Sequence, residues 1–185
     1  MAEYYFMSQL PSLDGIGENT TLPITEERFV ELCQRFLDKK AQLEINKLTI
    51  TPPREYEESS SELLDAWYKA ERELRFALAK VRADKMKKNF DMESKNLPVE
   101  LVKVARTAVE ADSPLEAEKL LNRYRLEALE LLRPMNTFSK DSVFYYGLKL
   151  KLLSRMKKFN ADIGEAAYKN IYNSIINGER LEAIQ

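Results

Sequence analysis

The chain contains no histidine. That absence removes the usual imidazole general base, most zinc-site types and the His-containing di-iron pattern of helical bundles. A lone cysteine, Cys33, permits no internal disulfide and points to a reducing compartment. There are five glycines, and none forms a phosphate-cradling loop: Gly15-Ile16-Gly17 has two at dinucleotide-loop spacing but lacks the third and a βαβ frame, so it reads as a plain loop. No apolar run reaches bilayer-spanning length and no basic-then-apolar leader opens the chain. The expectation is a cytoplasmic protein that is neither exported nor membrane-spanning. Charge of neither sign dominates: 29 Lys and Arg against 30 Asp and Glu give a net −1, which disfavours a globally basic nucleic-acid binder.

What remains is 44% hydrophobic and 32% charged, the balance of a helical protein with a solvated surface. A chain of 185 residues buries roughly 70% of its unfolded surface on folding, so it needs no disulfide or metal for stability. The expected fold is all-α, an array of about six or seven helices with one long central helix and little or no sheet, at most a short pairing near 4–10 or 48–51. One helical domain over 1–185 is the default, with lobes 1–90 and 97–185 as its natural subdivision.

The long helix runs from Ser61 to about Asn89, without Pro or Gly and with Ser59, Ser60 and Ser61 ready to cap it. Leu63, Trp67, Ala70, Leu74, Ala77 and Val81 recur at four/three spacing and make one apolar stripe, widened by Leu64 and Leu78. Glu62 and Asp65 come early and Lys80, Arg82, Lys85, Lys87 and Lys88 come late, an order that complements the helix dipole. Further helices start at Thr25, with an apolar face of Phe29, Leu32, Cys33, Phe36 and Leu37; at Pro98; and at the capping box Ser113-Pro114-Leu115-Glu116. Two more run from about Ser139 to Phe159 and from Asp162 to Asn177, the last turning Tyr168, Ile171, Tyr172 and Ile175 inward and stopping at Asn177-Gly178. Ala41–Ile50 reads as either a short helix or an extended piece, and 52–60 and 90–96 read as connections.

The opening is bulky: Tyr4-Tyr5-Phe6-Met7, then Leu10-Pro11-Ser12-Leu13, then a Gly-containing loop and Pro23-Ile24-Thr25-Glu26-Glu27-Arg28-Phe29. Four large side chains in a row should be pinned to the body. This order of aromatics, Leu-Pro, and Pro-Ile-Thr entering a helix resembles an uncharacterised bacterial family whose members are encoded beside the subunits of vacuolar-type (archaeal-type) ATPases. The match is best over residues 4–37. Members are commonly longer, and Leu181, Ala183 and Ile184 still read as amphipathic helix, which fits a short or truncated member. By the same resemblance the chain is similar to the helical C (or d) subunit of those machines, a socket between central stalk and membrane ring. The resemblance implies a non-enzymatic subunit or assembly partner in ATP-coupled proton or sodium transport. Its partners would be the stalk and ring subunits, with membrane association only through the complex.

Chemistry is sparse. Glu116, Glu118, Glu127 and Glu130 form a carboxylate group, most of it off the apolar stripe, and read as a solvated face. No catalytic residue, cofactor, metal or small-molecule substrate is expected. The candidate interaction residues are the basic ends of two helices: Lys80, Arg82, Lys85, Lys87 and Lys88, and Lys149, Lys151, Arg155, Lys157 and Lys158. Together they would make a positive surface at one end of the bundle, facing acidic protein, lipid headgroups or RNA. The alternative reading is a small helical regulatory or nucleic-acid-binding protein that uses those same ends.

Overall fold

The computed structural model describes residues 2–16, 20–54, 59–89, 97–158 and 161–182, and the side chains of these except 2, 3, 161–163, 167 and 177–182. Among the described residues the backbone forms eight helices and no strand: α1 (Ala2–Gln9), α2 (Glu26–Phe36), α3 (Lys39–Lys47), α4 (Glu62–Lys85), α5 (Val99–Glu110), α6 (Pro114–Leu131), α7 (Lys140–Lys158) and α8 (Ala161–Glu182). The fold is all-α. The sequence leads to little or no sheet, and the 4–10 segment, one of two places that allow a short pairing, lies almost wholly in helix α1. Ala41–Ile50, open in sequence between helix and extended chain, resolves mainly into α3, whose Asp38 side chain accepts from the Ala41 N–H at 2.7 Å. The connections at 55–58 and 90–96 lie outside the described residues.

Local sequence explains the ends of α4. The Ser61 hydroxyl accepts from the Leu64 N–H at 3.3 Å and donates to Asp141 at the start of α7. At the other end Lys87 takes φ 54°, the Lys88 N–H reaches the Ala83 carbonyl at 3.0 Å and the Lys87 N–H reaches Asp84 at 3.1 Å. This is a Schellman closure with lysine at a position that glycine usually fills. It ends α4 at Lys85, short of the expected Asn89.

Two apolar clusters meet along α4. The first packs α1, α2, α3, the N-terminal half of α4, the end of α6 and α7 around Phe6, Phe29, Trp67, Phe144 and Leu148. The second packs Leu74, Ala77 and Leu78 of α4 against Leu101, Ala105 and Ala108 of α5 and Leu121 of α6. The boundary between these clusters falls inside α4.

Although α4 is the longest helix, α7 is the most enclosed, touching α1, α2, α3, α4 and α6. Gly147 makes that enclosure possible. A Cβ there would lie 2.7 Å from Leu48 Cδ2 and 3.1 Å from Phe29 Cε1.

The chain ends of this body depart from expectation. Phe6 is buried, but Tyr4 and Tyr5 are more than half exposed, because the helical turn of α1 sends neighbouring side chains to different faces. Tyr4 still packs on Phe138, ring centroids 4.5 Å apart. In α8, Tyr168, Ile171, Tyr172 and Ile175 share one face, as their spacing requires, yet each is more than half exposed. Periodicity identifies an apolar face but not what covers it. Nor does Asn177-Gly178 stop the helix, which continues to Glu182.

Candidate functional site

The N-terminal motif folds down onto α7. After α1, residues Leu10–Asp14 cross the helix, and the Tyr146 hydroxyl donates to the Pro11 carbonyl at 2.9 Å. Gly15, at φ 71°, then turns the chain away. Lys149, one turn beyond Tyr145, is 7% exposed and would be untenable uncompensated. Its Nζ lies 2.6 Å from Asp14 Oδ1 and pairs on its other side with Glu130 of α6. Arg133 reaches the second Asp14 oxygen at 3.4 Å.

Asp14, Arg133, Tyr146 and Lys149 border a cavity of about 150 Å³ whose walls include Met7, Pro11, Thr137, Ser142 and Tyr145. That is well below the ~300–1,000 Å³ of typical ligand sites.

The electrostatics hold Asp14, Glu130 and Lys149 in their charged forms. The Lys149 hydrogen bond holds Asp14 below its ordinary value of 3.8 against some burial. Burial pushes Glu130 up, but hydrogen bonds from Lys149 and Tyr145 and the nearby cations outweigh it and leave it below 4.5. Burial likewise opposes the charge on Lys149, and the hydrogen bonds to Asp14 and Glu130 outweigh it, lifting Lys149 above 10.5. Burial, with the bond to Glu130, pushes Tyr145 up to about 12. Every shift moves away from neutral pH, opposite to the tuning of a general acid or base. The cluster is a clamp. Cys33 follows the same logic, with burial pushing its thiol up to about 12 in the middle of the core.

A second buried ionic group sits where the two apolar clusters meet. Glu71, 2% exposed, receives two bonds from Arg125 at 2.9 and 3.0 Å and one from Arg75 at 3.0 Å. Arg125 also donates to Asn122 Oδ1 at 3.1 Å. This bidentate pair fastens α4 to α6 and is satisfied internally. Sequence reasoning missed it, although a signal existed: Glu71 falls between Trp67 and Leu74 at stripe spacing, where a solvated carboxylate does not belong.

The predicted basic residues divide sharply. Lys149 is inside the clamp, Lys151 pairs with Glu26 at 3.0 Å, and Arg155 pairs with Glu118 at 3.3 Å. Carboxylates of the N-terminal loop, α2 and α6 thus pair all three, and Lys151 and Arg155 still line, with Lys158 and Glu26, a surface groove of about 500 Å³. Glu118 and Glu130 each hold a cation of α7 yet keep access to water, with side chains 32% and 41% exposed, while Glu116 and Glu127 are exposed. Lys157 is half-buried and Lys158 exposed.

The α4 set behaves differently. Lys80 is half-buried, and Arg82, Lys85, Lys87 and Lys88 are exposed. Lys85 donates to the Val109 carbonyl at 2.9 Å, and none of the five forms an ion pair among the described residues. Lys85 at Val109 and Arg155 at Glu118 direct both helices' C-terminal ends towards the α5–α6 turn.

Among the described residues no group of three or more acidic or cysteine side chains is placed to hold a metal ion, and no helix is long and apolar enough to cross a membrane.

Residues 89–179 match a family described as "Protein of unknown function (DUF2764)". The matched stretch takes in α5, α6 and α7 and most of α8, just under half of the chain, and the N-terminal motif lies outside it. No curated protein and no solved structure matches the chain.

Proposed function

We propose that this chain is a non-enzymatic helical subunit or assembly partner of a vacuolar-type ATPase, acting as a socket or adaptor between central stalk and membrane ring. The observation that carries the non-enzymatic part is the treatment of charge. Lys149 is clamped between Asp14 and Glu130, all three shifted away from neutrality, and Glu71 is paired with Arg125, while Arg82, Lys85, Lys87 and Lys88 at the end of α4 stand exposed and form no ion pair among the described residues. That arrangement suits binding rather than proton transfer. The identity of the partner rests on the N-terminal resemblance over residues 4–37, and the rigid clamp of that segment onto α7 suits a part that transmits torque.

The test is deletion of the gene followed by assay of the ATPase. Ion pumping coupled to ATP hydrolysis should be lost while hydrolysis by the detached catalytic head persists. Unchanged coupled pumping contradicts the proposal. The exposed cations of α4 favour RNA binding as a second reading, which requires retention on RNA with a steep salt dependence.

A further inference from the structure

We propose that the chain forms a two-fold dimer in which α8 of each copy seats in the groove between α4 and α5 of the other. Among the described residues two surfaces of one molecule are left uncovered and match. The first is the stripe Tyr168, Ile171, Tyr172 and Ile175 on a helix that, among those residues, packs extensively against no other helix of its own body. The second is a groove of about 460 Å³ with Val81, Val102 and Val109 on its floor and Lys80, Lys85 and Arg106 on its rim.

Their dimensions agree. At ~1.5 Å per residue, Tyr168 to Ile175 spans roughly 10 Å and the groove from Ala77 to Lys85 roughly 12 Å. Their net charges are opposite. The α8 sequence carries four carboxylates and two cations, of which Glu165 and Lys169 pair with each other. The groove sets Asp84 and Glu110 against Lys80, Lys85 and Arg106, and the end of α4 beside it adds Arg82, Lys87 and Lys88.

Because one chain carries both halves, a reciprocal pair fills both grooves, covers both stripes and closes, where a one-way contact would propagate. Two symmetric seats also double the area, as a stable interface of at least ~1,200 Å² requires.

The test uses the full chain in sedimentation equilibrium, with disulfide trapping. Ile171→Cys and Val102→Cys chains, when mixed, should oxidise to a mixed dimer, and neither should cross-link alone; Cys33 is buried and gives no background. Ile171→Glu should weaken dimerisation by ~30-fold or more, the scale of an interface hot spot. Lys80→Glu with Arg106→Glu, surface changes that leave the core intact, should weaken it most at low salt. Circular dichroism verifies that each variant is folded.

A chain that stays monomeric at every concentration overturns the proposal. So does a dimer that cross-links through Ile171→Cys alone, since that places α8 against α8. An internal disulfide in a monomeric double-cysteine chain would place α8 in its own groove and overturn it equally.

Discussion

Lys149 Nζ lies 2.6 Å from Asp14 Oδ1, joining an N-terminal loop to the most enclosed helix across 135 positions of sequence. Its two carboxylate partners keep access to water, with side chains 54% and 41% exposed. Glu71, held by Arg125, has no such access. The two pairs should therefore differ in energy. Lys149→Ala leaves hydratable carboxylates and should cost ~1–2 kcal/mol. Arg125→Ala strands a buried carboxylate with Arg75 as its remaining partner and should cost ~3–5 kcal/mol. Urea unfolding of both variants checks the order, and equal losses would show that the Lys149 cluster is as desolvated as the Glu71 pair.

The clamp also sets a pH dependence. Asp14 and Glu130 have folded values below their ordinary 3.8 and 4.5. Their contribution is present above those ordinary values and is lost as pH falls through the lower folded ones. Lys149 is raised above 10.5, so its contribution is present below that value and is lost as pH rises through the higher folded one. Between about pH 5 and pH 10 the clamp should be constant. Below that window the stability gap between wild type and Lys149→Ala should narrow steadily. Chemical denaturation at a series of pH values measures this, and a gap that widens in acid contradicts the assignment.

Gly147 offers a test of packing. An added methyl would lie 2.7 Å from Leu48 Cδ2 and close to the Phe29 ring, in a region where three elements converge. Gly147→Ala gains helix propensity worth ~1 kcal/mol. Overpacking of a tight core costs typically ~1–3 kcal/mol and should win. A net loss of stability is expected, whereas a stabilised variant would mean that Leu48 yields without strain.

The parts of this fold that were readable in sequence are those decided locally. Thr25, Ser61 and Ser113 cap their helices as their positions suggested. The α4 stripe is also in register, with Trp67 1% exposed. What escaped was decided by partners distant in sequence. Lys149 reads as one of several lysines ending a basic helix until Asp14 and Glu130 arrive beside it. Glu71 and Arg125 are 54 residues apart, so neither announces the other. Tyr4 and Tyr5 looked like burial candidates from bulk alone, but the α1 turn that exposes them depends on how Phe6 docks. The stripe of α8 was legible as apolar, but its exposure was not, because periodicity carries no information about what lies opposite a face.

The most direct test of the proposed role is affinity purification of the tagged full chain from its native cells at low ionic strength, beside the Lys85→Glu, Lys87→Glu, Lys88→Glu triple variant. These side chains are exposed and flank the apolar stripe, and what they give the fold is the Lys85 bond to the Val109 carbonyl and a favourable charge at the C-terminal end of α4. The melting temperature should therefore fall only modestly and the variant should stay folded. The wild-type chain should retain central-stalk and ring subunits of a vacuolar-type ATPase. The triple variant should retain far less, with the difference shrinking as salt screens the contact. A wild-type chain that carries no ATPase subunit, at low salt and with its fold intact, contradicts the account.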